Sequence, residues 1–321
     1  MRAAVCPQYG PPEVVRIEER DVPAAGPGQV GVRVAAAAVN FPDVLLVANS
    51  YQINVPAPFV PGSEFAGVVD EIGPQTSGFT LGDRVTGTGM FGAFAERVVV
   101  DAASLTPIPA QVDLRAAAAF GVAHRTAYHT LRSAARLSAG EELVVLGAGG
   151  GVGLAAVQLG IALGAKVTAV ASSPEKLDVA AHYGAAHVVN HKGQDLRTAL
   201  RAALPDGADV VVDPVGGELS EPALRSLSRG GRFVTVGFAS GAIPRIPLNL
   251  VLIKGIAVLG FQFHDVPPDE FTRNEAELRQ LLVAGRIEPH VGAIFSLDET
   301  AAALRHVGDG RAIGKVLIDL S

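Results

Sequence analysis

Glu142-Leu143-Val144-Val145-Leu146-Gly147-Ala148-Gly149-Gly150-Gly151-Val152-Gly153 is the stretch that decides the fold of this chain. An apolar, β-branched run breaks into five glycines and then opens, at Leu154, onto an apolar segment that reads as a helix. Glycines allow a tight turn and a close approach of the backbone to a pyrophosphate. The helix that follows offers free N–H groups and the positive end of its dipole. The order therefore predicts a dinucleotide-binding strand, turn and helix.

The glycine cluster does not have the strict G-x-G-x-x-G spacing, so its context carries much of the argument. A second strand-like run over residues 166–171 follows at the distance expected of a βαβ unit. A glycine-rich turn in an ordinary α/β domain is one alternative. A membrane span is another, because no charge occurs between Glu142 and Lys166. Glycines crowded at one end of the segment argue against a spanning helix.

Length and composition limit the possible functions. The 321 residues suggest about two domains of roughly 150 residues each, and a hydrophobic content of 49% indicates a globular protein. The net charge of −6 argues against nucleic acid or an anionic membrane as the main partner. Cys6 is the only cysteine, which excludes internal disulfides and favours a reducing compartment. We expect a cytoplasmic protein without a signal peptide, because residues 1–5 already read as a strand.

The pattern of the chain changes near Gly121. Before it, short alternating runs with many Pro, Gly and Val residues predict a compact, partly closed β-domain. After it, helix and strand alternate, with strand candidates at 143–146, 166–171, 187–190, 209–213, 232–237 and 256–261. Six strands with crossover helices predict a doubly wound parallel sheet. Beyond residue 263 we expect helices near 270–284 and 298–307 and a last strand at 315–319.

The end of the second strand indicates which dinucleotide binds. In sheets of this kind an acidic residue there holds the ribose 2′-OH of NAD. Here Ala171 is followed by Ser172, Ser173 and, three residues later, Lys176, so the acid is absent. Hydroxyls and a lysine at a helix start suit a 2′-phosphate instead, which predicts NADPH rather than NADH. The alternative is that Ser173 only caps the helix and Lys176 is solvated surface.

Several motifs together resemble the zinc-independent medium-chain dehydrogenases/reductases, in the NADPH:quinone oxidoreductase (zeta-crystallin-like) branch. They are Asn40-Phe41-Pro42-Asp43, Phe59-Val60-Pro61-Gly62-Ser63-Glu64-Phe65-Ala66-Gly67, Arg125-Thr126-Ala127-Tyr128, the glycine cluster, Asp213-Pro214-Val215-Gly216-Gly217 and Ile246-Pro247-Leu248-Asn249-Leu250. The resemblance spans the chain. It implies a GroES-like, β-rich catalytic domain from residues 1–121 and 263–321, a Rossmann domain from residues 122–262, and an active site in the cleft.

The resemblance also implies roles for individual residues. It places Asn40 and Tyr51 at the substrate and Thr126 and Phe238 near the nicotinamide. The other cofactor-binding residues expected are Gly150, Gly151, Val152, Ser172, Ser173, Lys176, His191, Gly237 and Arg311, of which the two serines, Lys176 and Arg311 would meet the 2′-phosphate. The chain departs from the pattern at Leu45, where some quinone reductases carry a tyrosine, and at His191, where a tyrosine usually stands near the adenosine.

No metal site is expected. The zinc-dependent relatives use cysteine and histidine ligands where this chain has Asn40 and Ser63, and those side chains together with one cysteine do not make a tetrahedral zinc site. No Ser–His–Asp arrangement is readable either. Hydride transfer remains, in which the cofactor supplies the reactivity and the protein orients the reactants.

The sequence therefore predicts an NADPH-dependent reductase of quinones or related conjugated carbonyls, with a small-molecule acceptor held by Asn40, Tyr51 and Thr126. Tyr51 is either an acid or part of the pocket lining. An enoyl-thioester or enone reductase is the alternative among enzymes, and a redox-silent NADPH-binding structural or RNA-binding protein is the alternative outside them. We expect no nucleic-acid or membrane partner. A homodimer is expected, because residues 256–261 would form an open sheet edge.

Overall fold

The computed structural model describes all 321 residues, which group into two compact units. The terminal unit comprises Met1–Val122 and Pro289–Ser321, and the central unit comprises Ala123–Glu288. None of the helices combines the length and the apolar character needed to cross a membrane.

The elements follow one another in this chain order. The strands are β1 (Arg2–Val5), β2 (Arg16–Glu19), β3 (Gln29–Val39), β4 (Glu64–Ile72), β5 (Arg84–Thr88), β6 (Arg97–Asp101), β7 (Leu105–Pro107), β8 (Glu142–Leu146), β9 (Lys166–Ala171), β10 (His187–Asn190), β11 (Ala208–Asp213), β12 (Leu227–Thr235), β13 (Ala257–Gly260), β14 (Val291–Ser296) and β15 (Lys315–Asp319). The α-helices are α1 (Phe41–Val47), α2 (Leu114–Ala118), α3 (Gly121–His129), α4 (Gly151–Ala162), α5 (Pro174–His182), α6 (Leu196–Ala203), α7 (Ser220–Ser226), α8 (Leu248–Lys254), α9 (Pro268–Val283) and α10 (Thr300–Gly308).

The central unit contains a six-stranded sheet in the order β10-β9-β8-β11-β12-β13, with every pair parallel. This is the doubly wound order in which the chain starts at the centre of the sheet and extends first to one edge and then to the other. The predicted fold class is confirmed. The strand at the centre, β8, is buried from Leu143 to Leu146, because helices cover both faces of a parallel sheet.

The terminal unit is built around β3, a strand of 11 residues. It pairs antiparallel with β4, β6 and β15, and β14 adds to β15 in parallel. Alternate apolar residues of these strands make the core, which Phe65, Phe94 and Leu304 fill from three different parts of the chain. The last strand of the protein therefore lies beside a strand from its first 40 residues.

The chain returns to the terminal unit later than residue 263, the limit we predicted. Helix α9 groups with the central unit, whose limit is Glu288. Polar contacts join this helix to α3: Glu275 Oε1 lies 2.9 Å from His129 Nε2, and the Tyr128 hydroxyl donates to Glu277 Oε2 at 2.7 Å. The sequence shows α9 as amphipathic but does not show which unit its buried face contacts, because that depends on these long-range partners.

Gly153 is the position at which α4 comes closest to the turn after β8. A Cβ atom there would lie 2.1 Å from the carbonyl oxygen of Gly147 and 2.6 Å from its carbonyl carbon, so no side chain fits without movement of the backbone. At Gly150, three residues earlier, a Cβ would lie 3.5 Å from the same oxygen, an ordinary contact.

We therefore expect Gly153→Ala to lower the free energy of unfolding by about 1–3 kcal/mol, the usual range for overpacking, whereas Gly150→Ala should change it by less than about 0.5 kcal/mol. Urea unfolding followed by far-UV circular dichroism measures both. Equal stability of the two variants would show that α4 can move away from the turn without loss.

Candidate functional site

The glycine turn between β8 and α4 leaves backbone donors open at the start of the helix. Gly147 has a φ of +60°, and its carbonyl oxygen accepts from Gly150 N at 2.9 Å. The first bond of the helix runs from Leu154 N to Gly150 O at 2.8 Å. The N–H groups of Gly151 and Val152 precede that bond, so they are available to an anion. The sequence predicts a pyrophosphate at such a helix start, and its binding here stays a prediction.

The side chain of Lys176 lies over the turn. A Cβ on Gly149 would come within 2.6 Å of Lys176 Cβ and Cγ, so the absence of a side chain at Gly149 makes room for the lysine stem. Ser173 caps α5, because its hydroxyl oxygen accepts from Lys176 N at 3.5 Å. The capping that we considered as an alternative function of Ser173 is thus present. Ser172 is half-buried beside it.

Two more basic side chains lie at the end of the neighbouring strand. Asn190 of β10 pairs with Ala171 of β9, and His191 N donates to Ala171 O at 3.1 Å, so His191 and Lys192 follow β10 where Ser172 follows β9. Burial and the charge of Lys192 lower the pKa of Lys176. Burial and the charges of both lysines lower the pKa of His191.

We call Lys176, His191 and Lys192 the cation cluster. Besides burial, the charge of Lys192 lowers the pKa of Lys176, and the charges of both lysines lower the pKa of His191, so an anion bound among these groups would relieve the repulsion. Sequence reasoning missed Lys192, although its place two residues after the predicted strand 187–190 was a usable signal.

The loop after β11 is organised by Asp213, which is fully buried. Its Oδ1 accepts from Val215 N and Gly216 N, each at 2.8 Å, and its Oδ2 accepts from the Ser220 hydroxyl at 2.5 Å. Gly216 has a φ of +70°, and a Cβ there would lie 2.9 Å from Cδ1 of Phe238. The absence of a side chain at Gly216 therefore leaves room for the exposed Phe238 ring, which follows the carboxyl end of β12.

The remaining predicted site residues lie in both units. Thr126 is half-buried on α3, and Gly237 is half-buried after β12, both in the central unit. Tyr51 is half-buried in the terminal unit and packs on its hydrophobic core. Arg311, also in the terminal unit, is exposed and forms an ion pair with Asp309 at 3.3 Å. Their contacts with substrate and cofactor stay predictions.

Asn40 lies in a buried polar cluster of the terminal unit. Its Nδ2 donates to Glu64 Oε1 at 2.9 Å and to Ser63 Oγ at 3.1 Å, and its Oδ1 accepts from Lys315 Nζ at 2.6 Å. Lys315 Nζ also donates to Glu64 Oε1 at 2.6 Å, although Lys315 and Glu64 are both buried. All polar atoms of the Asn40 amide are therefore engaged within the protein.

This arrangement changes how Asn40 can act. We expected its amide to bond an acceptor carbonyl directly, but both of its N–H groups already point at protein oxygens. The half-buried Ser63 hydroxyl is the part of the cluster nearest to solvent. Sequence reasoning missed Glu64 and Lys315. The signals were a glutamate within the quoted glycine-rich motif and a lysine at the start of an apolar last strand.

Asp43 belongs to the same cluster and is fully buried. Its Oδ2 accepts from Asn40 N at 2.7 Å, and its Oδ1 makes no hydrogen bond. Burial raises the pKa of Asp43 to about 7, against the lowering effects of the Asn40 N–H, the Ser63 hydroxyl and the charge of Lys315. No group of three or more His, Cys, Asp or Glu side chains is placed to hold a metal ion in this chain.

The raised pKa of Asp43 predicts a pH-dependent stability. Its pKa is about 7 in the folded state against 3.8 as the reference, so the folded state binds the proton more tightly. The resulting contribution to the free energy of unfolding is fully present below the reference pKa of 3.8 and is lost as the pH rises towards the folded-state pKa of about 7. Asp43→Asn removes it. Between about pH 5 and about pH 7 the free energy of unfolding of the variant should rise, relative to the unsubstituted protein, by up to about 3 kcal/mol.

Urea unfolding at a series of pH values measures this difference. Asp113→Asn is the matched control, because Asp113 caps α2 of the same unit from an exposed position, accepting from Arg115 N at 2.8 Å. Its effect should be nearly the same at all pH values. Parallel curves for Asp43→Asn and the unsubstituted protein would contradict the raised pKa.

Comparison with known proteins agrees with this geometry. Residues 26–110 match the alcohol dehydrogenase GroES-like domain, and residues 151–280 match the zinc-binding dehydrogenase domain. The chain is 38% identical to quinone oxidoreductase-like protein 2 of Bos taurus over 324 aligned positions, covering 99% of this chain and 92% of that protein.

Two solved structures extend the comparison. Quinone oxidoreductase of Escherichia coli, complexed with NADPH, superimposes with a TM-score of 0.92 at 27% identity, covering 99% of this chain and 100% of that one. Quinone oxidoreductase of Thermus thermophilus, whose structure was solved also with NADPH, gives 0.86 at 32% identity with the same coverage. With its two domains matched and its whole length aligned, the chain belongs to the medium-chain dehydrogenase/reductase family, in the quinone oxidoreductase branch.

Proposed function

We propose that this protein is an NADPH-dependent reductase that delivers hydride to quinones or related conjugated carbonyl compounds. The observation that carries the cofactor choice is the cation cluster, which lies where NAD-binding sheets have an acidic residue. The relatives named as quinone oxidoreductases, two of them solved with NADPH, support the reaction class.

The residues of the central unit fit this cofactor. The N–H groups of Gly151 and Val152 would hold the pyrophosphate, with Gly150 leaving the approach open. Ser172, Ser173 and Lys176 would hold the 2′-phosphate. When bound, NADPH supplies the hydride from C4 of its nicotinamide.

Other residues have orienting functions in this proposal. The ring of Phe238 and the side chain of Thr126 would limit how the nicotinamide can rotate, and Gly237 would leave room beside it. His191 would lie at the adenosine and Arg311, from the terminal unit, at its 2′-phosphate.

In the terminal unit the buried cluster orients the acceptor side of the reaction. Lys315 and Glu64 fix the Asn40 amide, and Asn40 Nδ2 donates to Ser63 Oγ. When an acceptor is bound, the Ser63 hydroxyl would turn from Asp43 and donate its hydrogen bond to the acceptor carbonyl. In this proposal Asn40 acts through Ser63, and Tyr51 lines the pocket.

We also propose that the protein is a cytoplasmic homodimer. The last strand of the central sheet, β13, has an open edge, and Val258 on it is exposed. Nearby in sequence, Leu248, Leu252 and Ile253 of α8 are exposed at 76%, 84% and 62%. Pairing of two copies would cover such surfaces. Sedimentation equilibrium of the purified protein measures the assembly.

Lys176→Ala should weaken NADPH binding by about ten- to a hundredfold and leave NADH binding nearly unchanged, because a charge-assisted bond to the 2′-phosphate contributes roughly 1.5–3 kcal/mol. Lys166→Ala is the matched control, a lysine at the opposite end of β9 that is exposed and ion-paired with Glu142. Dissociation constants from calorimetry give the result. Equal losses for both cofactors would remove the 2′-phosphate assignment.

Tyr51→Phe separates quinone reduction from enone or enoyl-thioester reduction. A reduced quinone gains its proton on oxygen, which water supplies rapidly, whereas an enolate gains it on carbon and depends on a positioned acid. We expect a loss of less than about tenfold in kcat with quinones, against the roughly 10²–10⁴-fold that general acid catalysis typically contributes.

The measurement is NADPH oxidation against a panel of quinones, enones and enoyl thioesters. If the unsubstituted protein reduces an enone or thioester faster than any quinone, and Tyr51→Phe lowers that rate by about a hundredfold or more, the enoyl reductase is the better assignment. If none of the acceptors oxidises NADPH, the proposed activity fails.

A further inference from the structure

We propose that His191 couples cofactor binding to a proton, so that the preference for NADPH over NADH strengthens as the pH falls from about 8 to about 6. The proposal rests on the proposed function, because it assumes that the 2′-phosphate binds at the cation cluster. It concerns a residue at which this chain departs from the tyrosine typical of its family.

The position of His191 is set by the parallel pairing of β9 and β10. The register aligns Asn190 with Ala171, and His191 N donates to Ala171 O at 3.1 Å. The residue after β10 therefore lies against the segment where Ser172 begins the predicted phosphate site. This placement depends on backbone bonds, so it does not depend on the rotamer of the imidazole.

The charges around His191 lie on three neighbouring elements, α5, α6 and β9, and on the residues that flank β10. The charged or titratable groups on those elements are Glu175, Lys176, Asp178 and His182 of α5, Asp195 at the N-cap of α6, Arg197 and Arg201 of α6, His187 and Lys192 flanking β10, and Lys166 at the far end of β9. Asp195 already accepts from Thr198 N at 2.8 Å. Only Lys192 and Lys176 act on His191 through charge, and both lower its pKa.

The imidazole is therefore kept neutral by its surroundings when no anion is bound. Its ordinary pKa is already near 6.5, and burial together with two ammonium groups favours the form without a charge. A phosphate carrying close to two negative charges reverses the sign of the local potential. It neutralises the effect of Lys176 and Lys192 and favours the imidazolium, which adds a third cation to the site.

Linkage makes this effect reciprocal. If the bound phosphate favours protonation of His191, then protonation of His191 favours binding of the phosphate by the same factor. NADH has a 2′-hydroxyl in place of the phosphate, so its binding should take up no proton at this site. Below about pH 6 the phosphate itself gains a proton and the gain levels off, which sets the lower limit of the window.

The experiment is titration calorimetry of the intact protein with NADPH and with NADH at about pH 6, 7 and 8, in pairs of buffers that differ in ionisation heat. The difference between buffers gives the number of protons taken up. We expect the dissociation constant of NADPH to fall about five- to tenfold from pH 8 to pH 6, with net proton uptake, and that of NADH to change less than about twofold.

Three variants identify the residue responsible. His191→Tyr restores the residue typical of the family, and His191→Asn removes the titration with a smaller side chain. Both should bind NADPH with little dependence on pH and with reduced proton uptake. His187→Asn, at the exposed start of the same strand, should behave as the unsubstituted protein does. Far-UV circular dichroism and a thermal unfolding midpoint close to that of the unsubstituted protein show that each variant is folded.

The outcomes separate the two proposals. No preference for NADPH at any pH would contradict the 2′-phosphate site and with it the proposed cofactor. A preference for NADPH that does not change with pH, or proton uptake that persists in both His191 variants, would overturn the function proposed for His191 alone and leave the cofactor assignment standing. If one variant is misfolded, the other still decides the question.

Discussion

The backbone contact between α4 and the turn after β8 is the constraint on which the central unit depends. It exists because position 153 has no side chain: the space a Cβ would need is occupied by the carbonyl group of Gly147. With the helix this close, its first N–H groups face the space above the end of β8, and the Lys176 stem fits over Gly149. Two glycines thus set this geometry: Gly153 lets the start of the helix approach the turn, and Gly149 leaves room for the lysine beside it.

The terminal unit depends on a contact of the opposite kind. A buried ammonium and a buried carboxylate, Lys315 and Glu64, are held 2.6 Å apart, and Asn40 bonds to both. Glu64 Oε2 also accepts from Val122 N at 2.7 Å, in the first turn of α3. A buried pair of this kind contributes little net stability over apolar residues of the same volume, but loss of one partner leaves a charge without compensation. Here the pair of Lys315 and Glu64 holds the Asn40 amide in a single orientation.

Charge is therefore arranged differently in the two units. In the terminal unit a positive charge is balanced inside the protein, so the cluster needs no ligand. In the central unit Lys176 and Lys192 lie close enough to repel one another, and a bound anion would relieve that repulsion. The overall charge of −6 does not show this local positive charge. Composition therefore argues against nucleic acid as a partner but gives no sign of a phosphate site.

The sequence by itself determined the parallel sheet of the central unit, since a β-branched run, five glycines and an apolar helix in that order have few other folded forms. It also determined the absence of the acidic residue at Ala171, and hence the candidate phosphate site, because both are local features within a few residues of one strand end. Only the tertiary structure decided where α9 belongs, that Lys192 joins Lys176, and that Asn40 is bound by Glu64 and Lys315. Each of these depends on partners between 16 and 275 residues apart along the chain, such as Asn40 and Lys315, whose meeting follows from strand pairing and burial that no local pattern encodes.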